Sequence, residues 1–364
     1  MRTTAAVVNA QGEDFTLTEV ELDAPQADEV LVRMVATGIC HTDITLRTFL
    51  PAEMFPNVFG HEGAGVVEQV GDGVTDIKPG DHVLLSFRAC RSCGPCVAGH
   101  VGYCDSHLML NYMGMRMDGS HTLTRDGAPV FGSFFGQSSL AAHAITSADN
   151  CIVVDPSLDL THAAPYGCGF QTGAGTVFNT LQVGADDSLA VFGAGAVGLA
   201  AIAAAATTGA RIVAVDLQPS RLAIAEKYGA ATVDATGLDG ATVVERVKEL
   251  TGGGASYAID TTAVPDVVRD AQRALAPRGT LVALGLGAEE YPLDAIDLLQ
   301  NGKVVRGSIE GDSDPHLMVP TLLALNAAGR FPVDELIRTY PADQIHTAVA
   351  DLLAGTVVKP VLLW

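Results

Sequence analysis

SLAVFGAGAVGLAAIAAAATTGARIVAVD, residues 188–216, decides the fold. After Ser188 its opening residues are continuously apolar, the pattern of a strand buried on both faces. Gly193-Ala194-Gly195-Ala196-Val197-Gly198 follows at once and opens a helix predicted over 196–208, and a second strand is predicted over 211–215. The G-x-G-x-x-G spacing gives each glycine a task. Gly193 makes the tight turn, Gly195 lets backbone approach a pyrophosphate, and Gly198 lets the helix lie close on the strand. The helix N-terminus then offers unpaired N–H groups to an anion. Asp216 stands 23 positions beyond Gly193 and ends the second strand, where a carboxylate can accept from ribose hydroxyls. It would repel a 2′-phosphate, so NAD is expected over NADP, although Arg221 five positions on leaves the second nucleotide open.

The same stretch holds eighteen residues, 189–206, without a polar side chain, long enough to cross a membrane. They are mostly Ala and Gly and lack flanking Trp or Tyr, so strand, turn and helix are expected instead. Outward from there, strands at 231–234, 256–260, 280–284 and 304–308 alternate with helices at 219–228, 241–250 and 265–276. Such alternation specifies a doubly wound α/β fold, a parallel sheet covered on both faces.

A length of 364 residues predicts two domains, and 48% hydrophobic with 17% charged residues excludes a disordered or fibrous chain. Twenty-one Lys+Arg against 42 Asp+Glu leave a net charge of -21, which repels phosphate backbones and anionic lipid and so argues against nucleic-acid and membrane partners. The Met1 end has no basic flank followed by an apolar core, and the other end carries no lipidation motif, so a cytoplasmic location is expected.

Seven cysteines, an odd number, argue against a disulfide framework. Cys90, Cys93, Cys96 and Cys104 lie in the turn-rich CRSCGPCVAGHVGYC, matching a closed tetrahedral zinc site that does no chemistry. An iron–sulfur cluster or four free thiols are the other readings, and nothing else in the chain points to electron transfer. Cys40 in GICHTD, Cys168 in YGCGFQTG and His61 in GHEG make a Cys2His set of the type that holds a catalytic zinc with an open fourth position. Taken singly, each such residue belongs more often to packing, and Cys151 in DNCIVVD reads as a buried strand cysteine.

Six segments together carry a resemblance over nearly the whole chain. GICHTD (38–43), GHEGAGVVEQVGDGV (60–74), the four-cysteine loop (90–104), GCGFQTGAG (167–175), GAGAVG (193–198) and GTVVKPVLLW (355–364) resemble, in order, the zinc-dependent medium-chain alcohol dehydrogenases. FFGQSSLAAHAI (134–145) and GSIEGDSDP (307–315) are similar to bacterial aryl- and allylic-alcohol dehydrogenases of the benzyl alcohol type. The resemblance implies a GroES-like, β-rich catalytic domain over 1–168, rejoined by 303–364, and a Rossmann domain over 169–302, with the active cleft between them. It implies reversible hydride transfer from a primary alcohol to NAD, giving an aldehyde, two zinc ions per chain, and a homodimer or homotetramer.

Residue by residue, it implies that Cys40, His61 and Cys168 hold the catalytic zinc and the four clustered cysteines the structural one. Asp43 would orient His61, Glu62 would stand behind the metal, and Thr42 would receive the substrate proton. His41 and Lys359 would meet the cofactor pyrophosphate. Thr172 and Val197 would pack near the nicotinamide, Leu284 and Ser308 would offer backbone, and Arg221 would lie near the adenosine ribose, beside Gly193, Gly195, Gly198 and Asp216. Phe87, Leu110, Phe134, Phe135, Leu286 and Ile309 are the pocket candidates, with plain core packing as the other reading. Well-studied members carry a proton-relay His five residues after the first Cys ligand, and this chain has Thr45. Two alternatives stand beside this reading: an enzyme that retains NAD through turnover, and a catalytically silent relative that binds NAD and zinc.

Overall fold

The computed structural model describes residues 1–364 and divides into two units. One comprises Met1–Cys168, Asp314–Pro320 and Asp334–Trp364; the other comprises Gly169–Ser313 and Thr321–Val333.

The first unit is built on the strand Glu29–Gly38, whose run EVLVRMVATG is buried at most positions because it is covered on both faces. It pairs antiparallel with Gly63–Val70 along one edge. Along the other, its first half pairs with His143–Ser147 and its end with Lys359–Leu363. Val361 faces Gly38 in that register, so the final strand delivers Lys359 to the turn from which the helix His41–Phe49 departs. A second sheet of five strands includes Arg2–Val8 and Phe15–Leu22, paired antiparallel.

The second unit holds six parallel strands in the order Ala231–Asp234, Arg211–Asp216, Ser188–Phe192, Ala255–Asp260, Leu275–Ala283, Val304–Gly307. That is the doubly wound arrangement. Val191 and Phe192 are 0% and 1% exposed, each stabilising the core by about 1.5–3 kcal/mol. The helix Ala196–Ala206 is alanine-rich because a second helix, Gly169–Gly175, lies against its backbone: a Cβ on Gly173 would meet the Val197 carbonyl oxygen at 2.1 Å. The apolar stretch 189–206 is divided between strand and helix, and no helix is long and apolar enough to cross a membrane.

Two expectations need correction. The strand expected from 280 begins at Leu275, directly after a helix that ends at Ala274. The chain does not return to the first unit at 303 either, because Val304–Gly307 pairs with Leu275–Ala283 and continues the parallel sheet; residues 303–313 and 321–333 belong to the second unit.

Candidate active site

In the first unit, three loops bring Cys40, His61 and Cys168 together. Cys40 lies between the strand Glu29–Gly38 and the helix His41–Phe49. His61 follows Gly60, whose φ is +98° and whose Cβ would strike the Leu140 backbone nitrogen at 2.3 Å, so the turn needs glycine. Cys168 arrives after a turn pinned by Ser86, just past the strand His82–Leu85, whose hydroxyl donates to the Gly167 carbonyl at 2.6 Å. One ligand atom from each of the three, with a Glu62 carboxylate oxygen, lies within 4.8 Å of the others.

His61 Nε2 is buried and has no hydrogen-bond partner. A buried polar atom left so costs about 1–3 kcal/mol. The other ring nitrogen, Nδ1, lies 2.8 Å from Asp43 Oδ1. A carboxylate there accepts the Nδ1 proton and leaves the lone pair on Nε2, the tautomer a metal requires. Asp43 also accepts from the Cys40 N–H at 2.9 Å and the Gly60 N–H at 3.0 Å, so one buried side chain fixes both ligand-bearing turns. Without metal, a hydrogen bond from Cys168 holds the Cys40 thiol well below its ordinary range, against the effect of burial. Burial opposes protonation of His61, yet Asp43 and Cys40 together hold the imidazole well above its usual value. Two sulfurs, one disposed to be a thiolate, and an orphaned imidazole nitrogen suit Zn²⁺.

Glu62 is held back from this group. Both its oxygens lie on Lys359 Nζ, at 2.8 and 2.9 Å, and Nζ also donates to the Ile39 carbonyl at 3.3 Å. Burial pushes the Glu62 carboxyl up to about 7, with Lys359 pulling the other way. A Cβ on Gly38 would lie 2.0 Å from Glu62 Oε2, so glycine makes room for the pair. Lys359, expected at a cofactor phosphate, is 2% exposed and pairs with Glu62 from the first position of the strand Lys359–Leu363. Thr42 Oγ1 lies 3.7 Å from Cys40 Sγ. Thr42 and Thr45 are half-buried and His41 is exposed.

The imidazole is braced by rings. Phe135 lies 4.6 Å from it at 31° and Phe134 meets it edge-on at 5.6 Å, while Tyr112 packs on both. Phe87, Leu110, Phe134 and Phe135 share one buried cluster. Phe134 has no exposed surface, so it supports His61 from within the core instead of lining an open pocket. Leu286 and Ile309 belong to the second unit and are exposed on it. Sequence reasoning missed Gln137, whose amide donates to the His61 and Ser86 carbonyls and whose oxygen accepts from the Gly63 N–H, each at 3.1 Å. A polar residue inside the run FFGQSSL was its signal.

The sulfurs of Cys90, Cys93, Cys96 and Cys104 also lie within 4.8 Å of one another. Backbone N–H groups converge on them: Cys93 on Cys90 at 3.4 Å, Cys90 and Ser106 on Cys104 at 3.3 and 3.4 Å, and Asp105 on Cys93 at 3.4 Å. The Ser92 N–H and hydroxyl are the main reason the Cys90 thiol falls to about 6, whereas burial and neighbouring thiols push Cys96 up to about 12. Cys151 is buried on a strand and its thiol is raised by burial.

In the second unit, Gly193 has φ +93° and abuts the Thr261 hydroxyl, and a Cβ on Gly198 would lie 1.9 Å from the Gly193 carbonyl oxygen. Gly195 differs: nothing lies within 4 Å of where its Cβ would stand, an open cradle at a helix N-terminus that no side chain caps. Asp216 accepts from the Ala194 N–H at 2.6 Å, and Val197 is half-buried on the helix. Arg221 is half-buried, with Nε lacking a hydrogen-bond partner. Thr172 Oγ1 donates to Glu310 at 3.1 Å, the Leu284 N–H donates to the Asp260 carbonyl at 2.8 Å, and Ser308 Oγ donates to Asp312 at 2.9 Å.

Residues 26–155 match the alcohol dehydrogenase GroES-like domain, and residues 196–327 match the zinc-binding dehydrogenase domain. A geraniol dehydrogenase of Castellaniella defragrans is 41% identical over 99% of this chain and 97% of its own length. The crystal structure of an alcohol dehydrogenase zinc-binding domain protein from Burkholderia ambifaria is 44% identical, with a TM-score of 0.94 over 100% of this chain and 99% of that one. Benzyl alcohol dehydrogenase from Acinetobacter calcoaceticus is 37% identical, with a TM-score of 0.94 over the same shares. The chain therefore belongs to the zinc-dependent medium-chain alcohol dehydrogenase family and is an oxidoreductase acting on small-molecule alcohols.

Proposed function

We propose that this protein oxidises primary alcohols whose carbinol carbon adjoins an unsaturated centre, allylic or aromatic, using NAD and two zinc ions per chain. The observation that carries the reading is the convergence of Cys40, His61 and Cys168 around an imidazole nitrogen that has no protein partner. Zinc, when bound, supplies the Lewis acidity that makes a coordinated hydroxyl group more acidic, and NAD, when bound, accepts hydride. Cys40, His61 and Cys168 would hold the catalytic ion, with Asp43 fixing the imidazole and Lys359 restraining Glu62. Thr42 Oγ1 would take the alcohol's proton while releasing its own toward solvent. Thr45, in place of a relay histidine, offers a hydroxyl for its next step. Cys90, Cys93, Cys96 and Cys104 would hold the second ion in a closed site. In the other unit, Gly195 and the uncapped helix N-terminus would receive the pyrophosphate, and Asp216 the adenosine ribose.

Similarity to a geraniol dehydrogenase and a benzyl alcohol dehydrogenase supports the substrate class. A second copy of the chain is the proposed partner.

The test is NADH formation, followed by absorbance, with benzyl alcohol, cinnamyl alcohol, geraniol and ethanol, beside elemental analysis of the same sample. Two zinc per chain and turnover of the three unsaturated alcohols well above ethanol are expected. Ethanol turned over as well as the others would overturn the substrate class, and no NADH from any alcohol would overturn the NAD-linked reading.

A further inference from the structure

The segment GSIEGDSDP (307–315) contains a backbone anomaly that zinc and hydride chemistry leave unexplained. Glu310, Gly311 and Asp312 have φ of +52°, +67° and +51°, three left-handed residues in succession, two of which are not glycine. L-residues avoid this region, and it persists only where surrounding contacts impose it.

Arg306 and Ser308 hold the Asp312 carboxylate, each at 2.9 Å, and the contacts on Glu310 and Gly311 come from one neighbouring stretch. Glu310 is 7% exposed, and its Oε2 accepts from Gln171 Nε2 and from Thr172 Oγ1, each at 3.1 Å. A Cβ on Gly311 would lie 2.7 Å from both Gly175 Cα and the Thr172 carbonyl oxygen, so the turn touches helix backbone there. Asn179 Nδ2 donates to the Gly311 carbonyl and to Ser313 Oγ, each at 3.2 Å. Beyond Gly175 the helix widens into a π-helical turn, Thr176–Thr180, a distortion frequent at functional sites. Thr180 Oγ1 in turn lies 3.0 Å from Ser308 Oγ.

We infer that Glu310 is a positioning residue for the nicotinamide end of the coenzyme, holding the Thr172 side chain and the 308–310 backbone in place before the coenzyme arrives. The inference rests on the NAD-linked reading above: hydride transfer brings the nicotinamide end to the zinc-bound alcohol, and Thr172 stands four positions after the proposed zinc ligand Cys168 on a helix that lies against Val197 of the glycine-turn helix. A hydroxyl that donates to a buried carboxylate has a fixed rotamer, and a threonine with fixed χ1 presents one methyl surface. The same carboxylate ties loop to helix, so two separate pieces of chain share one anchor. Pre-setting a site lowers the ordering cost of binding without adding a contact. A plug serving only stability would also be buried, but its removal would not single out one half of the ligand.

NADH and ADP-ribose, which lacks the nicotinamide, separate these cases. Their dissociation constants are measured by calorimetry on the wild-type chain, on Glu310→Ala and on the near-isosteric Glu310→Gln, with thermal melting of each. Glu310→Ala is expected to bind NADH about 10-fold more weakly, the worth of roughly one hydrogen bond, with ADP-ribose changed less than about twofold. Glu310→Gln can accept both hydrogen bonds at its one carbonyl oxygen but without the charge that strengthens them, so it should fall between, which keeps the test open if the alanine variant does not fold. Equal weakening of both ligands, or unchanged NADH affinity in a folded variant, overturns the inference. A wild-type chain that binds neither ligand would remove the coenzyme reading itself and this inference with it.

Discussion

Two oxygens of Asp43 serve three donors: His61 Nδ1, the Cys40 N–H and the Gly60 N–H. Asp43→Asn keeps the size but loses the charge and one acceptor, so the imidazole tautomer is no longer dictated. Zinc affinity at the Cys2His site should fall about 10–100-fold, the usual cost of losing such a partner. Competition with a chromophoric chelator measures it, and an unchanged affinity would show that Cys40 and Cys168 hold the site unaided. Lys359 makes a different case, because its partner cannot escape to water. Lys359→Met leaves Glu62 buried opposite no cation, and stability to urea should drop by about 3–5 kcal/mol. Adding Glu62→Gln removes the stranded charge and should restore part of the loss. If the double variant is no more stable than the single one, charge pairing is not what Lys359 contributes.

At the scale of elements, the four-cysteine lobe reaches the core through Cys96, Val101, Cys104 and Leu110, two of which are themselves ligands, so much of its order depends on the metal. Its helices span Gly94–Val97 and His107–Asn111, far shorter than the ~12–15 residues an isolated helix needs. Val97 and Leu108 are 76% and 69% exposed, so neither anchors the lobe in a core. Removing metal should make residues 90–113 cleavable by protease and fast in hydrogen exchange while the strands Glu29–Gly38 and Gly63–Val70 stay protected. Equal loss of protection in both regions would mean that the lobe is integral to the sheet. Rebinding should weaken as pH falls through about 6, where the Cys90 thiol of the metal-free lobe regains its proton.

How much of this the sequence disclosed depends on whether the cause was local. The glycine turn was legible because each glycine answers to a contact within its own strand, turn and helix, as Gly193 and Gly198 show. The ligands were legible as residue types, but their convergence depends on Asp43, which ties the turn at Cys40 to the turn at Gly60–His61, and on Gly167, which lies against Leu85 of a distant strand. The pairing of Lys359 was not legible because its partner Glu62 lies 297 positions away, and nothing near KPVLLW says that a lysine there is buried. Glu310 reads as an ordinary loop acid for the same reason. The helix expected to 276 stopped at Ala274 because the strand pairing of Leu275 with Ala255 overrode local helical preference.

For the whole molecule, one sheet edge and the net charge act in opposite directions. Val304–Gly307 is an outermost strand of the parallel sheet, and its free side presents unpaired N–H and C=O groups. Beside it in sequence, the helix Ala295–Asn301 buries none of its residues, with Ile296 and Leu299 63% and 78% exposed, and Val304 is 47% exposed. An open edge flanked by apolar side chains favours a two-fold pairing in which a second copy continues the sheet. The charge of -21 on each chain opposes that approach, so the assembly should tighten as salt screens the repulsion. Ile296→Glu with Leu299→Glu adds like charges where the apolar contact would form and should leave the protein at the mass of one chain in light scattering, with NADH binding retained. A wild-type chain already monomeric at about 0.5 M salt, where the Debye length is only a few ångströms, would sink the pairing, as would a double variant whose mass does not change.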